Sequence, residues 1–175
     1  GFVRPIVRCL YDERLKGARK ELRHKIELPL IKAAVDELLT KNSKKISKNL
    51  RIKWDKTGRP LIIGENYKDI KISLSHDASF LMVVAGYEEQ GCDVETIKER
   101  ESKDWKSLLG EKNYQFYESL TKNNINKDFI GTAIWSSNEC LSKISVNSRN
   151  KLYLDKSTSQ AICFNIGEDN KKIIV

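Results

Sequence analysis

Between residues 12 and 40 the apolar positions recur at helical spacing: Leu15, Ala18, Leu22 and Ile26, then Leu30, Ala33, Ala34 and Leu38. Pro29 falls inside that pattern, which predicts two helices or one helix kinked there. The Lys/Asn/Ser-rich stretch 41–49 reads as a loop. "LRIKW" (50–54) alternates as a strand does and is closed by the turn "DKTGRP". "IKISLSH" (70–76) alternates again, with Ile70, Ile72 and Leu74 on one face. "FLMVVAGY" (80–87) is continuously apolar, as in a strand buried on both faces. "EEQG" predicts a tight turn into a strand opening at "CDVETI". Helical spacing returns at 104–120 and 126–144, and "KLYL", "QAICFNI" and "KKIIV" read as short strands.

Helix, strands, helices, strands in that order predict an α+β fold of two similar α/β halves, each with a small antiparallel sheet packed on helices. The join is expected near Gly91, with an N-terminal half at 1–91 and a C-terminal half at 92–175. The 39% hydrophobic content of the 175 residues suffices for a core. No run of 18 apolar residues is present and the opening "GFVRPIVRCL" is too short and basic for a signal peptide, so a cytoplasmic protein is expected. The chain opens on Gly rather than Met, as a segment cut from something larger would. The four cysteines, at 9, 92, 140 and 163, form no CxxC pair. They read as reduced, mostly buried thiols rather than a zinc site or disulfide framework.

The net charge of +8 is uneven: residues 1–53 carry +9 and the remainder −1. A solvated helix face and a basic loop account for part of this, and an anionic partner for the rest. The basic residues are not interleaved with aromatics as a base-stacking surface requires, so no nucleic-acid partner is expected.

Two clusters carry candidate chemistry. In a strand, residues two apart share a face, so Asp93 and Glu95 in "GCDVE" would repel unless a cation neutralises them or one keeps its proton. A hard divalent ion such as Mg²⁺, held with substrate phosphates, is the usual neutraliser. Two solvated acids at an exposed strand end are the simpler alternative. In "DFIGTAIWSSNECLSKI" (128–144), Ile130, Ile134, Leu141 and Ile144 form an apolar stripe. Trp135, Glu139 and Lys143 follow at i, i+4 and i+8 on the opposite face. A Trp one turn before the Glu marks that face as partly covered, as a phosphate-and-metal site would be. Ser75 and His76 close a strand where a hydroxyl and an imidazole could reach phosphate oxygens.

Taken in order, "GRP" (58–60), "ISLSH" (72–76), "GCDVE" (91–95) and "WSSNECLSK" (135–143) resemble the 4′-phosphopantetheinyl transferases of the larger, surfactin-synthetase-activating type. That family carries a G-K/R-P turn, a strand ending in S-H, G-x-D-x-E, and W-S/T-x-K-E-x-x-x-K. The resemblance covers about residues 14 to 144. It implies a pseudo-twofold α+β fold, coenzyme A as substrate, Mg²⁺, and transfer of the phosphopantetheine arm to a serine of an acidic apo carrier protein. Position by position, it implies Asp93, Glu95 and Glu139 as metal ligands, and Glu139 as the base for the carrier serine. Lys143 would steady the phosphate under attack. Ser75 and His76 would contact the nucleotide phosphates, Arg59 the adenosine portion, and Arg23 and Arg19 the 3′-phosphate. A chain with two such halves need not dimerise to complete its site, so a monomer is expected. A domain excised from a polyketide or related synthase would also look like this. Asn138 stands where the family has Lys, which removes one cation and leaves open a transferase-like domain that binds without catalysing. A basic nucleic-acid-binding module is the remaining alternative, and it leaves the carboxylates unexplained.

Overall fold

The computed structural model describes residues 3–42, 50–64, 67–122, 125–144, 152–157, 162–166 and 171–174, with backbone alone after Leu152. The loop expected at 41–49 lies outside the described residues from 43 onward. The chain divides into two compact units, Gly1–Val94 and Glu95–Val175. Both mix helix with small antiparallel sheet, so the α+β class holds.

In the first unit the order is β1 (Ile6–Tyr11), a 3₁₀ turn (Glu13–Leu15), α1 (Lys20–Lys41), β2 (Arg51–Trp54), β3 (Pro60–Ile63), β4 (Lys71–Asp77) and β5 (Phe80–Gly86). β2 and β3 form a hairpin, and the main sheet runs β1-β5-β4, antiparallel throughout. The continuously apolar β5 is therefore the central strand. It sends Leu81, Val83 and Ala85 into the core beside Ile6 and Ile72, where Ile31, Ala34, Val35, Leu38 and Leu39 of α1 meet them. β4 and β5 are joined by a two-residue turn whose first residue, Ala78, has φ of +51°.

In this unit one strand is additional to the expected elements and two expectations change. "IVRCLY" forms β1, which carries no clean alternation because Arg8 faces the helix side and pairs with Glu37 of α1. The helix begins at Lys20 rather than near residue 12, and it runs through Pro29 as a single element. Pro29 is on the exposed side, where water can serve the carbonyl that loses its helical donor. The buried face is Ile26, Glu27, Ile31, Ala34, Val35, Leu38 and Leu39, while Leu22 is exposed. Lastly, residues 92–97 form no strand; the amides of Cys92 and Val94 go to serine side chains instead of a strand ladder.

The second unit comprises α2 (Ser102–Thr121), α3 (Lys127–Lys143) and a meander of β6 (Leu152–Ser157), β7 (Ile162–Ile166) and β8 (Lys171–Ile174). α2 is interrupted at Gly110, whose φ of +73° is a conformation open to glycine and costly for other residues. α3 starts where the Asn126 side chain accepts from the amides of Asp128 (2.9 Å) and Phe129 (3.0 Å). Trp105, Leu109, Tyr117 and Leu120 of α2 pack on Ile130, Ala133, Ile134 and Leu141 of α3. The predicted stripe is the core face, but burial extends well beyond it: Thr132, Ser136 and Ser137 are buried too. The Thr132 and Ser137 hydroxyls donate to the carbonyls of Asp128 and Ala133, both at 2.7 Å, which makes their burial affordable. Cys92 is buried as expected, Cys140 half-buried, and Cys9 exposed on the outward face of the edge strand β1; none of the three is in a disulfide. The Cys163 side chain lies outside the described residues.

Candidate functional site

In the first unit, β4 positions the segment that carries the first acid of the DxE pair. Ser73 and Ser75 are two apart and share the sheet face opposite α1, where both are buried. The amide of Cys92 donates to Ser73 Oγ at 3.1 Å and that of Val94 to Ser75 Oγ at 3.2 Å. The matching two-residue step lays 92–94 along β4 through hydroxyls rather than backbone pairing. Ser75 Oγ then donates to Asp93 Oδ1 at 2.9 Å. The single proton of Ser75 is thus directed at the half-buried Asp93 carboxylate, and the S-H and DxE segments are tied together by side chains. His76, next in the strand, faces the other side of the sheet and is exposed.

The GRP turn presents Arg59 on a braced scaffold. Asp55 Oδ1 accepts from Thr57 N (2.8 Å), Thr57 Oγ1 (2.6 Å) and Arg59 N (3.0 Å), and Asp55 N donates back to the Arg59 carbonyl at 2.9 Å. The Thr57 hydroxyl foremost, then the Arg59 amide, hold the Asp55 carboxyl below its usual range. Arg59 Nη2 reaches Glu89 Oε2 at 3.3 Å, and Lys71 Nζ stands 3.8 Å from Glu89 Oε1.

On α1, Arg19 is the exposed N-cap residue and makes no side-chain cap. Arg23 turns its Nε toward Glu27 Oε1 at 3.5 Å. Glu27 is only 2% exposed and also accepts from Trp54 Nε1 at 3.0 Å. His24 stacks on Trp54 with ring centroids 4.1 Å apart, and its buried Nε2 meets no partner among the described residues. Burial depresses the His24 pKa, with Lys20 and Arg23 adding to the effect.

Burial raises the Glu27 pKa, and Arg23 and Trp54 only partly offset it. Its folded value thus exceeds the unfolded one. The stability it contributes is complete below the unfolded value and is lost as pH rises through the folded value. Glu27→Gln keeps an acceptor for Trp54 and removes the charge. In urea unfolding it should match the parent near pH 4 and be more stable by about 1 kcal/mol near pH 7.5. Lower stability at pH 7.5 would show that the Arg23 ion pair outweighs the cost of burial.

In the second unit, α3 carries Trp135, Asn138, Glu139 and Lys143, all half-buried. Trp135 packs against the core of that unit, so the face opposite the apolar stripe is partly covered. Near the start of α3, Asp128 is 6% exposed and accepts at 3.0 Å from both Trp105 Nε1 and the Arg100 amide. Arg100 lies over the Trp105 ring, 5.4 Å from its centroid. This is a structural lock, and its signal was the Asn126-Lys127-Asp128 helix start.

The structure thus joins Ser75 to Asp93 within the first unit and places Glu139 and Lys143 one turn apart on α3 in the second. Arg59 meets Glu89 and Arg23 meets Glu27, two acids that the sequence pattern did not single out. Glu27 sat among cations and was hidden by the helix register; Glu89 lay in what read as a bare turn. Glu95 is exposed. Among the described residues, no three His, Cys, Asp or Glu side chains are gathered into a preformed metal cage. No helix among them is long and apolar enough to cross a membrane. No protein-family model matches the chain, and no curated protein matches it either.

Proposed function

We propose that this chain transfers the 4′-phosphopantetheine arm of coenzyme A to a serine hydroxyl of an acidic apo carrier protein. One observation carries the reading beyond the order of the four sequence segments: the 2.9 Å bond from Ser75 to Asp93, with Val94 N on the same hydroxyl. Segments eighteen residues apart, each weak by itself, are held together by the residues that the resemblance assigns to one site. Under this reading the two α+β units take the family's pseudo-twofold arrangement.

Asp93, Glu95 and Glu139 are hard oxygen donors, the chemistry Mg²⁺ prefers, and they would hold it. When bound, the ion supplies positive charge that favours the leaving group. The chain's own residues do the rest. Glu139 takes the proton of the carrier serine, whose oxygen forms a new bond to the phosphorus bearing the pantetheine arm. The bond from that phosphorus to the bridging oxygen of the pyrophosphate breaks, and 3′,5′-ADP leaves with the electron pair. Lys143 offsets charge on the phosphate under attack. His76 contacts the nucleotide phosphates, while Ser75, whose proton goes to Asp93, positions that carboxylate; Arg59 lies along the adenosine side, and Arg19 and Arg23 along the 3′-phosphate. The basic residues of the first third steer the acidic carrier.

Asn138 favours a second reading, a transferase-like domain that binds coenzyme A or a carrier without reaction. Intact-mass measurement separates the two. The chain is incubated with coenzyme A, Mg²⁺ and a panel of apo carriers. The expected result is a metal-dependent gain of one phosphopantetheine on at least one carrier. Calorimetric binding of coenzyme A with every carrier left apo would favour the second reading, and no binding of coenzyme A or of any carrier would dismiss both.

A further inference from the structure

The turn at 55–60 and the start of β4 bring two cations to one carboxylate. Arg59 is pinned on both sides of its peptide: Asp55 accepts its amide, and its carbonyl accepts from Asp55 N. Gly58, at φ +86°, makes the turn that allows this, and Pro60 fixes the chain beyond it. Lys71 opens β4 opposite Gly86, the last residue of β5. Glu89 follows three residues later on a short turn. Gln90 Nε2 donates to the Glu88 carbonyl at 2.8 Å, and the Gln90 side chain lies so close that a Cβ on Gly86 would stand 2.6 Å from it.

Each oxygen of the Glu89 carboxylate faces a different cation, Oε2 toward Arg59 at 3.3 Å and Oε1 toward Lys71 at 3.8 Å. An oxyanion bridging a guanidinium and an ammonium is also how a phosphate is held, and a phosphate brings more charge and more oxygens to the same donors. All three side chains are substantially exposed, from 31% for Arg59 to 54% for Glu89. Exposed ion pairs are weak, so an incoming phosphate can displace the carboxylate at little cost.

We propose that Arg59 and Lys71 form a phosphate clamp whose anion position is filled by the Glu89 carboxylate until a phosphate-bearing ligand displaces it. Which molecule carries that phosphate rests on the transferase reading; the clamp itself does not. Glu89 then acts as a built-in competitor, lowering apparent affinity by the fraction of time it occupies the two cations.

The test is calorimetric titration of the full chain with inorganic pyrophosphate and, separately, with coenzyme A at low salt. Glu89→Gln keeps size and removes the charge. It should tighten pyrophosphate binding about threefold to fivefold, the range an exposed ion pair can withhold. Adding Lys71→Ala to Glu89→Gln should lose that gain. Pyrophosphate binding that is no tighter in Glu89→Gln, or a gain that survives Lys71→Ala, would overturn the clamp. The two proposals fail separately. Tightened pyrophosphate binding without transfer in the mass assay keeps the clamp and sinks the transferase. Transfer by the parent chain without a Glu89→Gln effect does the reverse.

Discussion

Asp93→Ala and Glu139→Ala should each cut phosphopantetheine transfer by at least about a hundredfold while leaving the fold intact. Neither side chain belongs to the apolar core of its unit, and both are half-buried, so little packing is lost. Circular dichroism should overlay that of the parent for both, and so should the melting of Glu139→Ala, while Asp93→Ala, which strips the buried Ser75 hydroxyl of its acceptor, should melt somewhat lower. Asp93 carries a particular ambiguity, because it also accepts the proton of Ser75. Asp93→Asn resolves it, since an amide oxygen can still accept from Ser75 but brings no charge. If charge is what matters, Asn should be as inactive as Ala. Activity restored by Asn would reassign Asp93 to bracing 92–94 against β4. Parent-like rates in Asp93→Ala or Glu139→Ala at limiting Mg²⁺ would remove those residues from the metal set.

Gly131→Ala should destabilise the second unit, the reverse of the usual outcome. In an unobstructed helix interior the substitution gains about 1 kcal/mol from propensity. Here the new Cβ would stand 2.6 Å from the Trp105 ring, which is itself 1% exposed. The ring cannot swing away, because its Nε1 is held by Asp128 at 3.0 Å and the surrounding core is full. Overpacking of this kind costs more than propensity returns, and a net loss of about 2 kcal/mol is expected in chemical unfolding. Paired with Trp105→Leu, which makes room, Gly131→Ala should cost far less than it does alone, a coupling that a double-mutant cycle measures. Additive losses would mean that helix α3 shifts to accept the methyl group.

Several elements were legible because their signal is local. β5, read as buried on both faces, is the central strand; it is buried on both faces from Val83 to Gly86, while Phe80 at its start is exposed. Ile130, Ile134 and Leu141 mark the core face of α3 by spacing alone, and all three are almost fully buried. Other elements misled for equally physical reasons. β1 was hidden because exposed Arg8 interrupts the strand face that carries Ile6 and Leu10, and it pairs there with Glu37 on α1, a partner twenty-nine residues away. The face of the first helix was legible at Ile26, Ala34 and Leu38, which are buried, and misleading at Leu22 and Ala33, apolar by type yet exposed, and at Glu27, which is buried. Arg23 and Trp54 offset part of the cost of that burial, and no window of helix sequence contains Trp54.

The candidate site divides along the same line. The residues proposed for phosphate and metal chemistry, and their order along the chain, can be read from the sequence by itself: Arg59, Ser75, His76, Asp93, Glu95, Glu139 and Lys143. Periodicity also settled the α+β class, because amphipathic spacing is imposed by which face must leave water. Tertiary structure alone decided that Ser75 gives its proton to Asp93, that residues 92–94 are held by hydroxyls without a strand ladder, and that Arg59 and Lys71 share Glu89. These are pairings between side chains far apart in sequence. Their geometry depends on strand register and turn shape, which no local pattern of hydrophobicity encodes.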